Sequence, residues 1–215
     1  MKKYIDHLFV IIGTCLSCLH LSLLGRALRS CRDKVYTGYL RRGFAHIGQS
    51  YFIWHTHTLH GTEYIHIGDG CTFESGLQLT AWNTGKTPPS IIIGNNCLFR
   101  QNAHITATNG ITIGNHLLTG TNVFISDNSH GETITDRDLL ETPPGERPLH
   151  SKGTVSIGDN VWLGNNVCVM PGVTIGDGAI IGANSVVTHS IPAGCVAAGI
   201  PARVIRKFDS NTINR

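Results

Sequence analysis

Hydrophobic and small residues recur with a period of six between Ile157 and Val187. From Ile157 the chain reads IGDNVW, LGNNVC, VMPGVT, IGDGAI, IGANSV and VTHSIP, six units without a gap. The first position is aliphatic, the fifth is apolar or small, and the second is glycine in four units of the six. Neither strict alternation nor a helical period produces this pattern, whereas a short strand followed by a sharp bend does. We expect each unit to form one side of a coil, with its first and fifth positions facing inward and glycine easing the bend.

The spacing of equivalent units predicts the shape of the coil. Ile157 and Ile175 start equivalent units 18 residues apart, which is three units, so coils of three sides would stack into a triangular prism. Earlier IG units occur at longer intervals and start at Ile47, Ile67, Ile93 and Ile113. The excess length predicts two loops that leave the prism, AWNTGKTPPS and the polar stretch from Gly131 to His150.

The first 43 residues differ from the repeat array, which we assign to residues 44–208, followed by a tail at 209–215. No Asp, Glu, Lys or Arg occurs from Leu8 to Gly25, and basic residues flank this stretch on both sides. Its length is near the minimum for a membrane span. Two interpretations stay open: a helix packed on the protein or on a neighbouring subunit, or contact with a membrane. In the second case the basic flank that follows it would keep the repeat domain in the cytoplasm.

The amino-acid composition limits the cellular compartments and the kinds of binding partner that are possible. A length of 215 residues fits one main domain, and a formal charge of +3 without a block of like charge disfavours nucleic-acid binding. The seven cysteines are odd in number and scattered, which favours a reducing compartment over a disulfide framework. Cys71 and Cys97 occupy fifth positions, so we expect them to be buried. We expect a cytoplasmic protein, with the inner face of the cytoplasmic membrane as the alternative site.

The chain resembles the hexapeptide-repeat acyltransferases, and among them the sugar O-acetyltransferases of bacterial surface polysaccharides. The resemblance covers about residues 47–208 and is strongest from RPLHSKGTVSIGDNVW to AAGIPARVIRKF. It implies an all-β, left-handed parallel β-helix, a homotrimer, and acetyl-CoA bound in the groove between adjacent prisms, with no metal. The reaction it implies is transfer of an acetyl group to a hydroxyl of a sugar in a surface polysaccharide or its precursor.

The resemblance and the repeat register both indicate His130 as the general base. The family's catalytic histidine lies at the edge of a coil before an inserted loop, and His130 in FISDNSHG matches it. Counting 18 residues from Ile113 also ends a coil at His130. A sugar hydroxyl needs a base as it attacks, and neutral imidazole is suited to that task. Asp127, Glu132 or a main-chain carbonyl could orient the ring; we favour Asp127, whose competing role is that of a turn residue.

Further residues match the binding positions of the family. Small residues suit the pantetheine arm of the coenzyme and cations suit its phosphates. The matching coenzyme positions are Trp162, Asn165, Ala183, Thr188, Arg203 and Arg206, with Lys152 as a further cation. Asn102 and His104 are candidates to line the acceptor pocket, or are ordinary outward-facing polar residues. The polar loop after Gly131 would cover the acceptor.

Three other functions remain open at this point. One is a zinc enzyme of the β-helix carbonic anhydrase type, because four histidines cluster in IWHTHTLHGTEYIHIG at positions 55, 57, 60 and 66. The second is an N-acetyltransferase acting on an amino sugar nucleotide, and the third is a non-catalytic trimeric scaffold. Zinc content and an acceptor screen distinguish them.

Overall fold

The chain winds into a triangular prism whose three faces, here named A, B and C, are β-sheets. The computed structural model describes residues 5, 7–11, 14, 21–55, 57–85, 87–131 and 141–208. Face A contains β1 (His46–Ile47), β4 (Ile65–Ile67), β7 (Ser90–Ile93), β10 (Gly110–Ile113), β15 (Val155–Ile157) and β18 (Thr174–Ile175). Face B contains β2 (Tyr51–Phe52), β5 (Thr72–Phe73), β8 (Leu98–Phe99), β11 (Leu118–Thr119), β16 (Trp162–Leu163), β19 (Ile180–Ile181), β21 (Cys195–Gly199) and β22 (Ala202–Lys207). Face C contains β3 (Thr58–His60), β6 (Gln78–Ala81), β9 (His104–Ala107), β12 (Phe124–Ser126), β17 (Cys168–Val169) and β20 (Val186–Val187).

Equivalent side chains of successive coils stack in ladders inside the prism. The rings of Phe52, Phe73 and Phe99 stack along face B with centroids 4.6 and 4.9 Å apart. Cys71 and Cys97 are buried, as is every first and fifth position from Ile157 onward. The six isoleucines that start the IG units on face A are all in parallel register: Ile47, Ile67, Ile93, Ile113, Ile157 and Ile175. These ladders confirm the predicted three-sided coil and its inward-facing positions.

Two different positions of the unit form the corners. The fourth position adopts left-handed backbone, with φ between +57° and +78° at Asn160, Asn166, Gly172, Gly178 and Asn184. Asparagine and glycine tolerate that conformation better than other residues. Glycine is needed at the second position for a different reason. A Cβ on Gly164 would lie only 2.7 Å from the backbone nitrogen of Ala183 in the next coil. The expectation that this glycine eases the bend is therefore wrong: it allows the backbones of successive coils to approach.

Both insertions leave the prism at the corner between faces C and A. The first comprises residues 82–89 and follows β6. The second follows β12, two coils later. The coil between them turns this corner with only Thr108 and Asn109. The second insertion starts with a hairpin of β13 (Asn128–His130) and β14 (Leu149–Ser151), which pair antiparallel. The regular wall therefore ends at Ser126 and not at His130 as the 18-residue count predicts, because the hairpin is inserted at the corner before the wall resumes with β15 on face A.

The remaining elements close the two ends of the prism. Helix α1 (Leu21–Leu40) and a 3-10 turn at Arg41–Gly43 precede the first coil, and further 3-10 turns lie at Thr62–Tyr64 and Pro144–Glu146. The buried Thr37 hydroxyl donates to the Asp33 carbonyl and accepts from the Phe52 N–H, both at 2.8 Å, so α1 packs on the body. At the other end β22 pairs antiparallel with β21 and forms a short C-terminal cap; residues 209–215 lie outside the described residues. Among the described helices, none is long and apolar enough to cross a membrane.

Candidate active site

A polar cleft of about 240 Å³ lies at the corner where the two insertions leave the prism. Three successive coils supply its walls, and most of the lining side chains carry hydroxyl, amide or imidazole groups. They are Thr84 and Thr87 from the first insertion, Thr108 and Asn109 from the short turn, and Leu149, His150 and Ser151 from β14. Such groups both donate and accept hydrogen bonds, so the cleft suits a ligand with several hydroxyls.

Asp127 fixes the floor of this cleft. Its side chain is fully buried, directly after the last residue of β12. Its carboxylate accepts hydrogen bonds from three successive backbone N–H groups and one side-chain amide: Thr108 (2.9 Å), Asn109 (2.8 Å), Gly110 (2.6 Å) and Asn128 Nδ2 (2.9 Å). Backbone N–H groups that converge on one anion hold a turn rigidly, because each would otherwise be buried without a partner.

These contacts correct the role predicted for Asp127. The sequence predicts that it orients the imidazole of His130, but both carboxylate oxygens face the turn of the preceding coil and the amide of Asn128. Asp127 is therefore a positioning residue for the cleft floor, close to the turn role that competed with the catalytic one. Glu132, the other candidate to orient the ring, lies outside the described residues.

His130 is exposed at the margin of the cleft. It ends β13 and pairs with Leu149, one of the cleft-lining residues of β14. Residues directly opposite each other in an antiparallel pair project on the same side, with Cβ atoms about 4.5–5.5 Å apart. The imidazole therefore projects on the same side of the hairpin as Leu149, which lines the cleft, although His130 itself is not one of the lining residues.

The two predicted acceptor-pocket residues lie away from this cleft within one protomer. Asn102 has a φ of +58° at a B–C corner, where its side-chain amide donates to Asn122 Oδ1 at 3.0 Å. His104 starts β9 and contacts the Phe124 ring edge-on at a centroid distance of 5.1 Å. Burial lowers the pKa of His104, which favours its neutral form. Since a strand rises about 3.3 Å per residue, His104 is roughly 13 Å from Thr108 along β9.

Three of the predicted coenzyme positions lie on face B. Trp162 is about half exposed and is in register with Ile180, Val196 and finally Arg206 across four adjacent strands. At about 4.8 Å per strand this row is roughly 14 Å long. Arg203 lies on the same strand as Arg206, whose guanidinium is 5.3 Å from the Phe208 ring centroid. Face B therefore carries an exposed strip with an indole at one end and two guanidinium groups at the other.

The other four coenzyme positions lie on the edges beside face C. Asn165 and Ala183 occupy the B–C corner in successive coils, and Asn165 Oδ1 accepts the Thr121 N–H at 2.9 Å. Thr188 and Lys152 are exposed at the C–A corner, the edge that also carries the cleft. The structure thus places the predicted coenzyme residues on more than one edge of a single prism. A ligand that contacts all of them would lie between two prisms.

Three of the four clustered histidines, at positions 57, 60 and 66, have separate surroundings in one protomer, and His55 is exposed. His57 is half-buried, stacks on Tyr36 and contacts the Ile53 carbonyl through Nε2 at 2.8 Å, and burial lowers its pKa. His60 stacks on the Trp82 indole at 4.0 Å, whereas His66 is exposed on face A. In the part of the chain that the structure describes, no group of three His, Cys, Asp or Glu side chains is placed to hold a metal ion.

His150 and the threonines of the cleft are not predicted from the sequence. His150 pairs with Ser129 across the hairpin, so it is one step from the pair that contains His130. One signal was available: an insertion that leaves and re-enters one corner brings its last residues beside its first. For the segment from His130 to Ser151, this rule predicts that His150 lies beside His130.

Two family models match the repeat region. Residues 154–189 match the bacterial transferase hexapeptide model of six repeats. Residues 90–127 match the model described as the hexapeptide repeat of succinyl-transferase. The matched residues include the last strand of face C before the hairpin and the coils that follow β14.

The chain is also similar to curated relatives over its most regular part. It is 53% identical over 70 residues to WbbJ of Escherichia coli (strain K12), a protein provisionally named as a lipopolysaccharide biosynthesis O-acetyl transferase; this segment is 33% of this chain and 35% of that protein. It is 56% identical over 55 residues to the galactoside O-acetyltransferase of the same strain, covering 26% of this chain and 27% of the relative. The matches therefore span about a third of these relatives or less.

A solved structure extends the likeness to the whole prism. A mutant of AntD, an N-acyltransferase from Bacillus cereus in complex with dTDP-4-amino-4,6-dideoxyglucose and coenzyme A, superposes with a TM-score of 0.67. The alignment covers 82% of this chain and 90% of that one at 17% identity, which establishes the fold alone. Together, the comparisons confirm the predicted fold, a left-handed parallel β-helix, with hexapeptide repeats at residues 90–127 and 154–189, and the chain is similar to acyltransferases over this region.

Proposed function

We propose that the protein is an acetyl-CoA-dependent acetyltransferase that acetylates a hydroxyl of a sugar in a surface polysaccharide or its precursor. The observation that carries this proposal is an exposed imidazole, His130, at the margin of a cleft lined by hydroxyl and amide groups. Both curated relatives described above bear O-acetyltransferase names, and one of them has a saccharide acceptor in its name. The names of the same relatives and the coenzyme A held by the solved structure support the acyltransferase class and a coenzyme A thioester as donor.

His130 acts as the general base in this reaction. The imidazole takes the proton of the sugar hydroxyl as the oxygen forms a bond to the thioester carbonyl carbon. The tetrahedral intermediate then collapses, the carbon–sulfur bond breaks, and the imidazolium returns the proton to the departing thiolate of coenzyme A. The acetylated sugar and free coenzyme A are the products, and the imidazole is again neutral.

The cleft holds the acceptor during this step. Thr84, Thr87 and Ser151 offer hydroxyls that exchange hydrogen bonds with a polyol, while the turn at Thr108 and Asn109 is held rigid by Asp127. A fixed turn matters because a small error in acceptor position reduces the rate strongly.

A homotrimer completes the coenzyme site in this proposal. The indole of Trp162 and the guanidinium groups of Arg203 and Arg206 lie on face B, whereas Lys152 and Thr188 lie at the C–A corner. Two prisms side by side can bring face B of one against that corner of the other. The arginines then suit the coenzyme phosphates, and Asn165 and Ala183 line the path of the pantetheine arm. A cytoplasmic location agrees with the need for acetyl-CoA.

The test is release of free thiol from acetyl-CoA by the purified full chain against a panel of sugars, amino sugars and nucleotide sugars, with mass spectrometry of the product. His130→Ala should reduce turnover about 100- to 10,000-fold while acetyl-CoA still binds, because loss of a general base removes that much rate. His66→Ala, which changes an exposed histidine on face A, is the matched control. Full activity of His130→Ala would disprove the mechanism, and acetylation only of amines would replace it with N-acetyl transfer.

A further inference from the structure

The formal charge of the chain is strongly divided between its start and its remainder. Residues 1–62 contain eight Lys and Arg residues against two acidic residues, a formal charge of +6. Residues 63–215 contain nine Lys and Arg residues against twelve acidic residues, which gives a formal charge of −3. The small net charge of the whole chain therefore conceals a basic segment that precedes and includes the first coil. A localised basic region of this kind attracts anionic partners.

Part of this charge lines a groove between α1 and the first two coils of face B. The groove has a volume of about 790 Å³. Its helix side comprises Arg26, Arg29, Ser30, Arg32, Asp33 and Lys34, and its prism side comprises Tyr51, Ile53 and Thr72. Four cations thus face a single carboxylate along one wall of the groove.

That carboxylate is already engaged inside the groove wall. Asp33 Oδ1 accepts from Arg32 Nη2 at 2.8 Å and from the Trp54 N–H at 3.0 Å, and the Arg32 guanidinium also lies 4.8 Å from the Trp54 ring centroid. Arg32 and Asp33 therefore neutralise each other. The charges of Arg26, Arg29 and Lys34 remain uncompensated by any ion pair among the described residues.

The outer surface of α1 carries apolar side chains instead of the polar ones expected on a solvated helix. Leu28, Val35 and Tyr39 are 62%, 75% and 81% exposed. Val35 and Tyr39 follow Leu28 by seven and eleven residues. At 3.6 residues per turn, the three side chains therefore lie within an arc of about 40° around the helix axis. They form a stripe on the side away from Thr37, which packs on the prism. Before α1, five further large apolar side chains are exposed: Ile5, Leu8, Phe9, Val10 and Ile11.

We propose that α1 and the apolar residues before it bind the surface of an anionic lipid bilayer. An exposed apolar stripe bordered by cations is the signature of a helix that lies in a membrane interface. The stripe of Leu28, Val35 and Tyr39 enters the headgroup layer. Arg29 and Lys34, roughly 100° and 120° to either side of the stripe, contact lipid phosphates, and Arg26, on the far side of the helix, adds to the positive potential. A second copy of this chain fits less well, because it would bring another basic α1 against the first. The proposal is independent of the acetyltransferase reaction.

The test is flotation of the full chain with vesicles of phosphatidylcholine alone or with phosphatidylglycerol added. Binding should require the anionic lipid and weaken as ionic strength rises, because the Debye length falls from about 10 Å at 0.1 M to about 3 Å at 1 M. Free glycerol phosphate should not compete, because it lacks the apolar phase that the stripe enters. Equal binding to neutral and anionic vesicles, binding to neither, or displacement by glycerol phosphate would overturn the proposal.

Variants separate the two parts of the surface. Arg26→Gln, Arg29→Gln and Lys34→Gln together should weaken binding to anionic vesicles by roughly 100-fold, since each cation near such a surface contributes about fivefold. A control that loses the same charge elsewhere combines Lys86→Gln, Lys207→Gln and Arg215→Gln. An equal loss of binding in this control would show that only the total charge matters and would contradict the assigned surface.

The apolar stripe is tested in the same way. Leu28→Ser, Val35→Ser and Tyr39→Ser together should weaken binding roughly tenfold or more, whereas Ile92→Ser, which changes an exposed isoleucine on face A, should not. All four of these side chains are exposed, so thermal melting should be nearly unchanged and reports whether each variant is folded. If the stripe variant binds vesicles normally but has a changed oligomeric state, α1 contacts a second copy and the proposal is wrong.

Discussion

Replacing Asp127 by alanine should destabilise the protein by about 3–5 kcal/mol, because three backbone N–H groups lose their acceptor at once. The carboxylate is fully buried and accepts from Thr108, Asn109 and Gly110 at 2.6–2.9 Å. Each buried donor left without a partner costs roughly 1–3 kcal/mol, so three donors give roughly 3–9 kcal/mol, and partial access of water to the cleft floor keeps the total near the lower end. A loss of this size is a large fraction of the stability of an ordinary domain.

Asp127→Asn distinguishes the positioning role from the catalytic role predicted from the sequence. The amide keeps the shape of the side chain but replaces one acceptor oxygen with a donor, so it should still cost about 2 kcal/mol. If Asp127 instead oriented His130, the same variant would lose turnover with nearly normal stability. Loss of activity that tracks loss of stability, and recovers in stabilising conditions, supports the positioning role.

The assay is urea unfolding at one fixed protein concentration, because oligomerisation alters apparent stability. Asp69→Ala is the matched control: Asp69 Oδ1 accepts the Gln49 N–H at 2.6 Å, but at an exposed corner where water can replace it. The Asp69→Ala variant should lose no more than about 1 kcal/mol of unfolding free energy. A shift for Asp127→Ala no larger than that of Asp69→Ala would refute the assignment of Asp127 to the cleft floor.

Three further predictions concern the prism. Phe73→Ala removes the middle ring of a buried stack and should cost about 3–5 kcal/mol in urea unfolding; a loss below 1 kcal/mol would contradict the ladder. Gly164→Ala places a Cβ 2.7 Å from the Ala183 nitrogen and should cost roughly 1–3 kcal/mol, measured in the same way, whereas Gly145→Ala, which meets nothing within 4 Å, should not. Burial lowers the pKa of His57 from its reference value of 6.5, so its contribution to stability is complete above pH 6.5 and declines as the pH falls from there through the folded pKa. His57→Phe should flatten that decline in unfolding free energy, and an unchanged slope would exclude His57 as its source.

The sequence predicts the prism well because each six-residue unit repeats the same physical requirement. An aliphatic first position such as Ile157 must be buried at every turn, and the register of Ile93 and Ile113 on the same face follows directly. The cause of second-position glycine was not predictable, because it depends on the backbone of the following coil. Neighbouring coils are separated by 18 residues or more, so contacts such as that between Gly164 and Ala183 are invisible in a single unit.

The candidate site was only partly predictable, for a related reason. His130 is recognisable because it follows the last regular strand before a long insertion, and its register places it near the wall's end. The hydrogen-bond partners of Asp127 cannot be recognised in the sequence. They belong to a turn 17 to 19 residues earlier, and they are backbone N–H groups, which almost any residue supplies. The side chain at Thr108 likewise gains its place in the cleft only from the insertions on either side.

The order of the coils explains why the cleft forms at this corner. Insertions after β6 and after β12 bracket one coil that turns with only Thr108 and Asn109, and a groove results over the short turn. A third insertion at that turn would fill the groove, while moving either insertion to another corner would remove one wall. Because the stacked ladders stabilise each coil through its neighbours, loops at the corners can vary with little effect on the core. Specificity for an acceptor can therefore change through residues 82–89 and the β13–β14 insertion, while the turn held by Asp127 stays constant.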